Sequence, residues 1–172
     1  MIRSFDGNTP VVAPDAYVAE MTYLVGDVTV ANKASVWPFV CLRGDRGSVS
    51  IGAETNVQEF SMIHGATLGD RVSVGHNAVV DYATVEDDVL IGMQSTVLQG
   101  ATVESNCIVA ANAVVLGDQT IPEGHLAYGT PASTRPLTDE QLDEIQRTQD
   151  HYVDLSAEFA ATVGGDTPEQ TE

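Results

Sequence analysis

Residues 68–79 read Leu68-Gly69-Asp70-Arg71-Val72-Ser73 and then Val74-Gly75-His76-Asn77-Ala78-Val79. Each block of six opens on an aliphatic residue, and the repeat usually follows it with a small or acidic one and places a small or β-branched residue fifth. Neither a helical period nor simple alternation accounts for that spacing, whereas a repeat of six does. The rule runs outward in both directions. Ile51-Gly52-Ala53-Glu54-Thr55-Asn56 lies upstream, and blocks beginning at Ile91, Val103 and Val109 lie downstream. The aliphatic side chain fills an interior, and Gly, Asn or Asp takes the sharp bend between strands.

Three such strands close a triangular coil. Coils stack at about the 4.8 Å strand spacing, so backbone groups pair with the coils above and below. The expected fold is an all-β solenoid, a parallel β-helix. Its aliphatic positions fall into three columns: Ile51, Leu68, Val85, Val103 and Ile121; Val57, Val74, Ile91 and Val109; Ile63, Val80, Val97 and Val115. The steps from Ile63 to Leu68 and from Val80 to Val85 are five residues, so two coils are short at one corner. Upstream, Val18, Leu24, Val30 and Val36 continue the pattern more loosely. The register breaks between Arg43 and Ser48, which reads as a loop.

Pro131 and Pro136 end the prism, and Thr138 with Gln141 three residues later is a capping box that starts a helix. Leu142, Ile145, Tyr152, Leu155 or Ser156, and Phe159 form its apolar face. The expected organisation is a β-helix domain over 1–136, a C-terminal helix over 137–163 packed on it, and a flexible tail over 164–172.

The 172 residues suit one domain, and 25 acidic against 7 basic residues give a formal net charge of −18, with Lys33 the only lysine. Such a surface repels phosphate backbones and anionic membranes, so neither nucleic acid nor membrane is an expected partner. It also repels itself, and salt screening relieves that repulsion. A salt-adapted, halophilic protein is expected. Cys41 and Cys107 do not make a disulfide framework, and no apolar run approaches a membrane span. The expected location is cytoplasmic.

His64 follows Ile63, and Asp81 follows Val80, so the two stand at equivalent positions one coil apart, both pointing outward. His76 lies on another side of the triangle. Within one chain it does not join the pair, but in a three-fold assembly His76 of one copy faces His64 and Asp81 of the next. Two histidines and a carboxylate with open positions suit Zn²⁺ or another divalent transition metal such as Fe²⁺ or Co²⁺. The plain alternative is a solvated histidine and a turn-forming aspartate. That alternative is favoured for His125 and His151.

Several motifs together resemble the γ-class carbonic anhydrases over about Val11 to Phe159. They are Trp37-Pro38 leading into Arg43-Gly44-Asp45, Asn56-Val57-Gln58, Ile63-His64, Val74-Gly75-His76, and Gly129-Thr130-Pro131 before Arg135-Pro136-Leu137. The resemblance implies a left-handed helix sense, a homotrimer, and reversible hydration of CO₂ to bicarbonate at zinc sites between subunits, a lyase activity. It matches His64 and His76 to two of the family's three metal-binding histidines. The third position, five residues after His76, is Asp81, and Asp81-Tyr82-Ala83 stands where the family usually has His-Gly-Cys. The resemblance further implies that Arg43 and Asp45 join subunits and that Asn56 and Gln58 orient substrate. Glu59 stands where Asp is common, and Tyr152 matches a tyrosine near the site.

Two rival readings stand beside this one. A relative with weak or no catalysis would keep the trimer and metal as an assembly protein, and Asp81 is its main support. A hexapeptide acyltransferase would use an interfacial histidine as base.

Overall fold

The computed structural model describes residues 1–163. The tail expected over 164–172 lies outside the described residues. Short parallel strands follow one another around a left-handed β-helix, as the hexad pattern and the family resemblance imply.

The three columns form as read. Ile51 pairs in register with Leu68, Leu68 with Val85, Val85 with Val103, and Val103 with Ile121. Val57 pairs with Val74, Val74 with Ile91 and Ile91 with Val109, while Ile63, Val80, Val97 and Val115 make the third ladder. All these side chains are buried, and together they form one continuous core. Complete burial of each contributes about 1.5–3 kcal/mol. The looser upstream positions belong to it too, with Val18 beside Val36 and Val30 beside Ile51.

The stretch Arg43–Ser48 differs from the loop expected there. It lies inside a continuous strand, Cys41–Ile51, paired with Tyr23–Val30. The irregularity that breaks the hexad register is a shift in that pairing between Gly26 and Val28. A bulge absorbs extra residues without leaving the ladder, so a broken side-chain period does not require a broken strand. Its consequence is functional, because Arg43 pairs in register with His64 and Asp45 is carried to the same edge.

At the far end His125–Tyr128 pairs in parallel with the coil below it, and Ser133–Pro136 folds back antiparallel against it and ends the prism. Helix α1 (Asp139–Thr162) then starts at the Thr138–Gln141 capping box. It runs back along the prism for about 36 Å at 1.5 Å per residue. Ile145 packs with Ile108 and Leu126 near its start, while Tyr152, Leu155 and Phe159 pack on Tyr17 and Trp37 near its end. Gln149, fully buried, donates to the Arg71 carbonyl.

Candidate functional site

Strands Met62–His64 and Val79–Asp81 lie side by side, with His64 and Asp81 as register partners. His64 Nδ1 stands 2.8 Å from Asp81 Oδ1. A carboxylate only accepts, so in this bond Nδ1–H of the imidazole donates to Asp81 and Nε2 is the nitrogen left to meet other partners. That nitrogen faces Tyr82 Oη at 3.3 Å and Asp45 Oδ1 at 3.4 Å.

Asp45 is held from the other side. Arg43 Nε donates to Asp45 Oδ2 at 3.0 Å, and this bond keeps the carboxyl below its usual range. The same nitrogen sits 3.0 Å from Oδ1 without the alignment of a bond, and Oδ1 is a buried oxygen with no hydrogen-bond partner. An unpartnered buried acceptor is costly unless something positive meets it.

Tyr82 was assigned no role from the sequence. Its φ is +46°, a left-handed conformation that costs a side-chain-bearing residue about 1–2 kcal/mol. One coil below, its counterpart is Gly65, also left-handed at +56°. A Cβ on Gly65 would lie 2.5 Å from the Tyr82 ring, and one on Gly47 would lie 2.9 Å from it. Two glycines thus make a bed for the ring, which packs edge-on to His64 with centroids 4.5 Å apart. The legible signal was the shortened step from Val80 to Val85, with a tyrosine where Gly65 sits one coil below.

The remaining candidates gather elsewhere. His76 Nδ1 stands 2.8 Å from Glu59 Oε2, at the corner where the Asn56–Val57 and Ser73–Val74 face turns toward the His64 face. Beneath the helix, Gln58 Nε2 donates to Asn56 Oδ1 at 3.1 Å, and Asn56 Nδ2 donates to Ser73 Oγ at 2.7 Å, all three residues buried. Tyr152 lies edge-on to Trp37 at 5.7 Å, and burial, with a smaller contribution from Glu59, raises its phenol.

The structure therefore brings together His64, Asp81, Arg43, Asp45 and Tyr82 as one group, and Glu59 with His76 as another. A turn at His76–Asn77, with Asn77 left-handed at φ +59°, lies between His76 and the strand that ends on Asp81. Among the described residues no group of three His, Cys, Asp or Glu side chains within the single chain converges to hold a metal ion. The donors present nonetheless have the chemistry of a divalent transition-metal site, an imidazole beside carboxylates with one buried oxygen unsatisfied.

His125 Nδ1 faces the Glu123 carbonyl at 2.8 Å, and His151 packs edge-on to Tyr152. Neither joins the two groups. Cys41 and Cys107 are free thiols, raised chiefly by burial. Among the described residues no helix is long and apolar enough to cross a membrane.

Residues 82–117 match the family model described as bacterial transferase hexapeptide (six repeats). The chain is 36% identical over its whole length to a mitochondrial γ carbonic anhydrase 2 of Arabidopsis thaliana, and spans 66% of that protein's length. It is 32% identical to a carbonic anhydrase of Geobacillus kaustophilus, with 94% of this chain and 92% of that one aligned. A crystal structure described as a putative acetyltransferase of Bacillus cereus superposes with a TM-score of 0.91 at 31% identity, covering 94% of this chain and 97% of that one.

Proposed function

From the membership of this chain in the γ-carbonic-anhydrase family of hexapeptide-repeat proteins, we propose that it is a trimeric metalloenzyme that interconverts CO₂ and bicarbonate at sites between its subunits. The observation that carries the reading is the division of the candidate residues into two half-sites on different parts of one chain. His64 with its carboxylates is one half, and the Glu59–His76 pair is the other. A three-fold assembly brings the second half of one copy to the first half of the next, so His64, Asp81 and a neighbouring copy's His76 surround one ion.

A divalent metal bound there, with Zn²⁺, Fe²⁺ or Co²⁺ suited to the donors, supplies Lewis acidity that makes a water nucleophilic at neutral pH. The chain's own residues do the rest. Asp81 orients the His64 ring, and Glu59 does the same for His76 through Nδ1. Gln58 and Asn56, locked to each other and to Ser73, form a rigid amide pair whose role in this reading is to orient the substrate. Arg43 and Asp45 join the copies. Tyr152 lies near Glu59 against Trp37, and packing is the role its surroundings favour. The acidic surface belongs to a salt-adapted protein of a reducing cytoplasm.

Stopped-flow CO₂ hydration by the metal-loaded protein in concentrated KCl tests the reading, with elemental analysis giving metal per chain. A rate equal to buffer with metal present favours the rival in which Asp81 marks a relative that keeps the ion and has lost the reaction. Calorimetric binding of acetyl-CoA instead would favour the acyltransferase reading.

A further inference from the structure

His64 Nε2 and Asp45 Oδ1 face each other at the heart of the first half-site. With Asp81 at Nδ1, Nε2 of His64 is turned to Asp45 Oδ1 3.4 Å away, a buried carboxylate oxygen with no hydrogen-bond partner although the Arg43 guanidinium nitrogen lies 3.0 Å from it.

The spacings say which carboxylate shares an ion with His64. Two donors each about 2.1 Å from a tetrahedral zinc stand about 3.4 Å apart. His64 Nε2 and Asp45 Oδ1 have that separation. His64 Nδ1 and Asp81 Oδ1, at 2.8 Å, are at hydrogen-bond distance and close around a proton instead. Tyr82 Oη, 3.3 Å from Nε2, stands at the rim of the same place, held there by a ring bedded on Gly47 and Gly65 despite the cost of its left-handed backbone.

We infer that His64 Nε2 and Asp45 Oδ1 are the two donors this chain offers a divalent cation, and that Asp81 is a positioning residue that acts through His64. The inference rests on the metal-site reading above and changes the part played in it by two aspartates. Asp45 becomes a ligand as well as the partner of Arg43, and Asp81 becomes the outer carboxylate of a carboxylate–histidine–metal arrangement. The ligand position that the family gives to a third histidine is then met by a carboxylate from a different strand, Cys41–Ile51, whose bulged pairing carries Asp45 to the site.

Cobalt(II) titration of the full-length assembled protein tests this, followed by calorimetry and by the visible d–d band, with D45N, D81N and R43Q beside the wild type. D45N is expected to lose stoichiometric binding and the band. D81N is expected to keep both while affinity falls roughly 10–100-fold, the usual cost of an outer carboxylate. R43Q, which removes the ion pair and leaves the carboxylate, is expected to keep stoichiometric binding. If D45N does not fold, Asp45→His, which retains a donor, is expected to keep binding with a shifted band. Loss of the band in D81N with no change in D45N or Asp45→His overturns the inference and leaves the metal-enzyme reading standing. A wild type that binds no cobalt overturns both, and puts a proton rather than a metal between His64 and Asp45.

Discussion

His76 and Glu59 are joined by a 2.8 Å contact across adjacent coils, from imidazole Nδ1 to carboxylate Oε2. The pair mirrors His64 and Asp81 on the first half-site, because in each a carboxylate stands at Nδ1 and leaves Nε2 to other partners. Replacing Glu59 with glutamine removes the anionic acceptor and keeps the size. We expect E59Q to bind metal about 10–100-fold more weakly in the assembled protein, while its fold is retained. Calorimetry on the oligomer reads this, and unchanged affinity would show that His76 takes no part in holding the ion.

Gly65 is required twice over, by its φ of +56° and by the Tyr82 ring that a Cβ would strike at 2.5 Å. The expected cost of G65A is about 1–3 kcal/mol of stability. Because part of that cost is collision with the ring, G65A should be less harmful in a Y82G background than alone. Thermal melts of the two single variants and the double variant measure the coupling, and strict additivity would mean that the ring is not what excludes a side chain there.

Arg71 bridges coils and helix at once, with Glu54, Asp88 and Asp150 at 3.2, 3.2 and 3.0 Å. Hydrogen bonds from Lys33 and Arg71 lower the Glu54 pKa from its ordinary 4.5. A depressed carboxylate contributes stability that is complete above its unfolded pKa and lost as pH falls through its folded one. The Tm advantage of wild type over R71Q should therefore be complete near neutrality and shrink below about pH 4.5. An advantage that grew on acidification would contradict the assignment.

With −18 formal charges on 172 residues, like-charge repulsion opposes the compact state in dilute buffer. We expect Tm to rise from low to multimolar KCl as screening shortens the reach of that repulsion. A flat or falling Tm over that range would remove salt adaptation from the reading.

The hexad pattern made the fold legible because the interior of a β-helix is built from local rules repeated many times. One missed register does not shift the coils beyond it. For the same reason the His64–Asp81 contact was readable, since residues following Ile63 and Val80 become neighbours wherever the ladder forms. The strand through Arg43–Ser48 was not readable, because a bulge and a loop both appear in sequence as a lapse of period.

Asp45 shows the difference most clearly. In the sequence it is the aspartate of Arg43-Gly44-Asp45, matched by resemblance to a pair that joins subunits. Only the folded chain sets its buried Oδ1, which has no hydrogen-bond partner, 3.4 Å from Nε2 of His64. Likewise Tyr82 reads as a departure from a familiar triplet until its ring is seen lying on Gly47 and Gly65. The order of the residues was enough to determine the columns, the coils and the helix, because burial and turn chemistry act on near neighbours. The direction of each imidazole nitrogen, and hence which carboxylate meets it, depended on strands brought together from distant parts of the chain and was decided by the tertiary structure alone.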